Sequence, residues 1–174
     1  MKTLIVIAIA IVVVIVVLAA IAALVGSRLP KNHTASRSIL LHRPPKEVYD
    51  VVRDFGSAPT WRSDVKSLEV QPQPDGKIHF REVGSDTIDY EVAEDVTGQR
   101  LVTRILNTDL GYSGKWTYEF LPEGNGTRVK ITEDGEVSNV LFRFMSRYVF
   151  GHTSTLDAYL TALGKRFGED VTPS

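Results

Sequence analysis

The sequence predicts an α+β architecture: a curved antiparallel sheet wrapped around a long C-terminal helix, preceded by a single transmembrane helix. Three patterns carry that expectation. Residues 4–25 are an unbroken run of Leu, Ile, Val and Ala. Residues 65–131 hold six short segments of alternating polarity, separated by Gly-, Pro- and Asn-containing turn signals. Residues 138–167 repeat apolar side chains at three- and four-residue steps, the stripe of a helix lying on an apolar surface.

The apolar run comes first. As a helix its 22 residues would span about 33 Å, close to a hydrocarbon core of roughly 30 Å. Sixteen of them are Leu, Ile or Val, so gross insertion is favourable by about 5–10 kcal/mol. A core helix would show a polar face, and this one shows none. A cleaved signal peptide is the other alternative, with Ala20-Ile21-Ala22 as a small-residue site, but the run exceeds the usual h-region of about 7–15 residues. The expected organisation is an anchor over residues 1–27, a linker over 28–33 and one domain over 34–174. Lys2 flanks one side of the run, and Arg28, Lys31, Arg37 and Arg43 flank the other. That bias leans toward a cytoplasmic domain on a single-pass membrane protein. Two N-x-T triplets, at Asn32 and Asn125, carry little weight.

Composition narrows the classes. The net charge of −1 offers no basic field for nucleic acid. There is no Cys, hence no disulfide, thiolate nucleophile or Cys-ligated metal. The four His are scattered without ligand spacing. No metal or cofactor is therefore expected.

The domain reads in order. Residues 34–42 form a first strand, stopped by Pro44-Pro45, with Pro45 suited to the first turn of a helix. Val48, Val51, Val52 and Phe55 then give a short helical stripe, and Trp61 anchors a second short turn. In the strands that follow, Ile88, Tyr90 and Val92 share one face, as do Trp116, Tyr118 and Phe120. Period-2 alternation with one polar face is what an antiparallel sheet with one wet side requires. Arg81 and Arg104 lie beside Glu82, Asp89 and Glu91; cross-strand surface pairing is the ordinary reading, and an Arg turned inward toward an anionic head group the sharper one. In the closing helix, Ser138 is the expected N-cap and Gly168 the expected stop, with His152 near the apolar face beside a helix-breaking Gly151. Phe142, Val149 and Phe150, with Arg143 and Arg147, form an apolar-basic patch suited to touching a bilayer.

Three stretches resemble the START-like superfamily, which includes the polyketide cyclase/dehydrase and lipid-transport (SRPBCC) group. SRSILLHRPPKEVYDVVRDFGSAPTWRSDVKSLEV (36–70) looks like its opening strand, Pro-initiated helix and Trp. GKWTYEFLPEGNGTRVKITEDGE (114–136) looks like its penultimate hairpin, and LDAYLTALGKRF (156–167) like the end of its closing helix. The resemblance implies a helix-grip fold with a cavity between sheet and helix that holds a hydrophobic molecule. It implies that the loop over 107–113 borders the cavity mouth. Fold alone does not give function in such a group.

On that fold, inward residues Tyr90, Trp116 and Tyr118 from the sheet, and Tyr148, His152, Leu156 and Tyr159 from the helix, are the expected lining. Each aromatic could equally be plain core filling, and His152 a buried imidazole with an ordinary partner. The expected function is a membrane-anchored binder or carrier of a small hydrophobic ligand of the lipid, isoprenoid or quinone class, with the membrane contacted through the N-terminal helix. A cyclase/dehydratase-like enzyme using cavity Tyr and His is one alternative. A protein-interaction or chaperone-like module, with a filled core, is the other. Oligomeric state is not readable.

Overall fold

A computed structural model describes residues 2–74, 76–151 and 153–174. The chain runs α1 (Lys2–Arg28), β1 (Asn32–Leu41), α2 (Pro45–Arg53), a 3-10 turn (Phe55–Thr60), then β2 (Ser67–Pro72), β3 (Ile78–Val83), β4 (Thr87–Val96), β5 (Arg100–Ile105), β6 (Tyr112–Glu123) and β7 (Gly126–Val137). It closes with α3 (Val140–Met145), a π-helical turn (Ser146–Phe150) and α4 (Ser154–Arg166).

All seven strands form one antiparallel sheet in the order β1-β7-β6-β5-β4-β3-β2. Five successive hairpins lay down β2 to β7, and β1 joins beside β7. A bulge at Ala93, between the Val92–Thr103 and Glu94–Val102 pairs, adds a residue to one strand and bends the sheet. The curvature is what leaves room on the concave face.

Helix α2 begins where the sequence dictates. Pro44 is extended (φ −61°, ψ 147°) because it precedes a proline, and Pro45 supplies the preset φ of a first turn. Its Val48, Tyr49 and Val52 are buried against the sheet. On α4, Leu156, Tyr159, Leu160 and Leu163 follow the i, i+4, i+7 rule and are buried with Ile39, Leu101, Phe120, Val129 and Ile131. Each fully buried Leu contributes about 1.5–3 kcal/mol of transfer free energy.

The expected single helix over 138–167 is two pieces. Asn139, rather than Ser138, caps the first, its Oδ1 accepting from Phe142 N at 3.0 Å. Gly151 then adopts φ +77°, ψ 160°, a conformation that L residues avoid, and the chain turns before α4. Gly168 ends α4 as expected, its N–H donating to Lys165 O at 3.0 Å.

The N-terminal helix extends to Arg28, and β1 starts at Asn32, so only residues 29–31 connect them. It is long and apolar enough to be a membrane span or a signal sequence. Its side chains are exposed from Leu4 to Ile21, and its last turns lie on α3. There Gly26 is buried: a Cβ would overlap the Val140 carbonyl oxygen.

Candidate functional site

Between the concave face of the sheet and α4 lies a cavity of about 500 Å³, within the 300–1,000 Å³ range of small-molecule sites. Its wall is aromatic. The Tyr159 ring stands edge-on to Trp61 (5.4 Å) and Trp116 (5.7 Å) and tilted against Tyr118 (5.7 Å). Phe80 is stacked between Phe55 (4.2 Å) and Tyr90 (4.9 Å). Such pairs add about 0.5–1.5 kcal/mol each beyond burial and hold the wall rigid.

A bidentate charged pair, Arg62 with Glu82, sits in this wall. Arg62 Nη1 donates to Glu82 Oε2 at 2.7 Å and Nη2 to Glu82 Oε1 at 3.1 Å, a bidentate fork. Nη2 also reaches Asp64 at 2.6 Å, and the guanidinium lies 5.1 Å from the Tyr159 ring centroid. Burial pulls the Arg62 pKa down, but Glu82 and Asp64 outweigh it, so the net direction is up and Arg62 stays charged. Two donors beside it, Trp61 Nε1 and Arg62 Nε, are buried without an acceptor among the described residues. A buried donor left unmade costs about 1–3 kcal/mol.

The phenols are held neutral. Burial is the main cause for Tyr90, Tyr118 and Tyr159, all shifted upward, with Glu82 pushing the same way and Arg62 opposing. At the cavity's outer end Tyr112 donates to Asp86 Oδ2 at 3.1 Å and is pushed up to about 12 by burial and that carboxylate. A folded-state pKa above the unfolded value gives stability that is complete below the ordinary phenol value of about 10 and lost as pH rises through the folded values. Alkaline titration should therefore show these phenols ionising together with loss of helical circular dichroism above about pH 10. Full ionisation with the fold intact near that pH would contradict the burial.

Of the residues read from sequence, Tyr90, Trp116, Tyr118 and Tyr159 are brought together on this cavity. Leu156 is fully buried in the core and is not among the lining residues. Tyr148 is a correction: it is 59% exposed, packed on Phe144 (5.1 Å), because the π-helical turn and Gly151 carry it off the face that α4 presents inward. His152 lies outside the described residues. Tyr112, in the loop that the resemblance placed at the mouth, does line it. Arg81 pairs with Asp89 (2.7 Å) and Arg104 with Glu91, the ordinary cross-strand arrangement. Sequence reading missed Arg62 and Glu82. The signal for Glu82 was present: Ile78, Phe80 and Glu82 alternate, so one face of β3 carries a carboxylate inward.

The sequence model of the family described as polyketide cyclase/dehydrase and lipid transport matches residues 32–167. The chain belongs to that family. A START superfamily protein from Mycobacterium smegmatis is similar in structure, with a TM-score of 0.63 at 17% identity over 77% of this chain and 96% of that one. A protein from Thermus thermophilus gives 0.61 at 24% identity over 78% and 95%. Truncated norcoclaurine synthase from Thalictrum flavum gives 0.59 at 14% over 78% and 93%. At these identities the likeness is one of fold. Among curated proteins, none matches the sequence. The matched region of this family member starts at the first residue of β1 and leaves α1 outside it.

Proposed function

We propose that this domain binds or carries a small hydrophobic molecule of the lipid, isoprenoid or quinone class, and that α1 keeps it at a membrane where such a molecule is dissolved. The cavity of about 500 Å³ with its aromatic wall carries the reading. A protein-interaction module of the same fold would call for a filled interior instead. The neutral phenols of Tyr90, Tyr118 and Tyr159 suit a hydrophobic ligand with one polar group, because they donate hydrogen bonds without adding charge to a greasy site.

Native mass spectrometry of the full chain in detergent, followed by organic extraction, should find a co-purified apolar compound in about equal amount to protein. Ile88→Trp, which places a large ring in the lining, should reduce occupancy roughly tenfold or more, since overpacking costs on the order of 1–3 kcal/mol. Empty wild-type protein that also fails to take up added long-chain quinone or fatty acid would refute the proposal.

A further inference from the structure

Three features meet at one end of the sheet. The strand ends Asn32, Tyr112 and Val137 lie there, since Asn32 pairs with Glu136 and Tyr112 with Val137. Helix α3 springs from that end, and α1 arrives at it. The cavity also opens there: its exposed rim includes Ser85, Asp86, Phe142, Gly151, Ser154 and Thr155.

The join between α1 and α3 is closely made. Gly26 lets the α1 backbone approach the Val140 carbonyl at a distance that no side chain would permit. Arg143 is buried and bridges the two elements, Nη1 donating to Leu29 O at 2.9 Å and Nη2 to Ser138 O at 3.2 Å. It is thus a clasp, not part of the surface patch that the sequence suggested. Val137 N donates to Lys31 O at 2.8 Å, fixing the far side of the three-residue connector. The end of α1 has little freedom to swing away from α3.

That join sets a depth. The apolar run ends at Val25, one residue before Gly26. If α1 crosses a bilayer, the hydrocarbon boundary falls at about this point, and whatever touches Gly26 lies at the same level. The touching element is dressed for that place. Leu141, Phe142, Tyr148 and Val149 are 40–59% exposed on α3 and the π-helical turn, with Arg28 and Arg147 exposed beside them. Apolar side chains with Tyr and Arg are the composition of an interfacial segment.

We infer that α3 and the π-helical turn lie in the headgroup–acyl boundary of the membrane that α1 spans, so that the cavity opens onto the bilayer instead of bulk water. This rests on reading α1 as an uncleaved anchor. A ligand dissolved in the membrane would then enter beside Phe142 and Gly151 without crossing water.

The chain has no Cys, so single labels can be placed cleanly. The full chain would be reconstituted in phosphatidylcholine vesicles containing some phosphatidylglycerol, with an environment-sensitive fluorophore at Val14→Cys, Val149→Cys or Asn125→Cys. Asn125 is at the β6–β7 turn, roughly 35 Å along the strands from α3. Spin-labelled lipids then report depth. Val14 should be quenched by deep labels. Val149 should be quenched severalfold more by shallow labels than Asn125, with blue-shifted emission. A Val149 probe as water-exposed as Asn125, while Val14 is quenched, overturns the inference and leaves the anchor standing. A Val14 probe that is itself unquenched overturns both.

Discussion

Replacing Arg62 by alanine is expected to destabilise the fold by about 3–5 kcal/mol, the cost of leaving a buried carboxylate without its cation. Glu82 is 14% exposed and takes both of its guanidinium contacts from Arg62. Glu82→Gln should cost less, about 1–2 kcal/mol, because Arg62 keeps Asp64, which is 64% exposed and already solvated. The double substitution Arg62→Met/Glu82→Leu should recover most of the loss, since an apolar pair of similar volume removes both desolvation penalties. Thermal unfolding of the two single variants and the double variant, followed by Trp fluorescence, would check it. A double variant no more stable than Arg62→Ala would mean that the loss comes from packing and not from the stranded carboxylate.

Leu160→Ala and Leu141→Ala should differ by most of the cost of a core cavity. Both residues belong to the apolar stripe that the sequence drew along one continuous helix. Leu160 is fully buried, and its truncation is expected to cost about 2–5 kcal/mol. Leu141 is 46% exposed on α3, and its truncation should stay within about 0.5 kcal/mol in detergent-solubilised protein. Equal losses at the two positions would argue for an unbroken helix packed along its whole length. Placed in a bilayer, Leu141 gains a further role only if α3 is at the interface. The same pair of variants compared in vesicles therefore bears on the membrane-facing mouth.

Much of the architecture was already written in periodicity. Alternation along the strands, a proline-started helix with a second short turn anchored by Trp61, and the spacing of Leu156, Tyr159, Leu160 and Leu163 depend on nearest neighbours in the chain, and each survived into the fold. So did four cavity aromatics, because side-chain direction on a strand or helix follows directly from residue spacing. The sequence marked Gly151 as a helix breaker, but what the break does to the stripe was harder to read. An apolar stripe continues across it in sequence, and only the backbone's φ of +77° there shows that the two halves face different surroundings. Tyr148 was misplaced for that reason.

Local pattern along the chain settles the element order, the antiparallel sheet with one wet face, the family and an N-terminal helix greasy on every side. Long-range packing was needed to bring Arg62 to Glu82 inside the cavity across twenty positions of chain, and to turn Arg143 into a clasp on the exit of α1 instead of a solvent-facing charge. Packing also seats α1 on α3 through Gly26, beside the cavity mouth. Charge pairing and close backbone approach depend on which distant residues arrive together, and no spacing rule along the chain contains that.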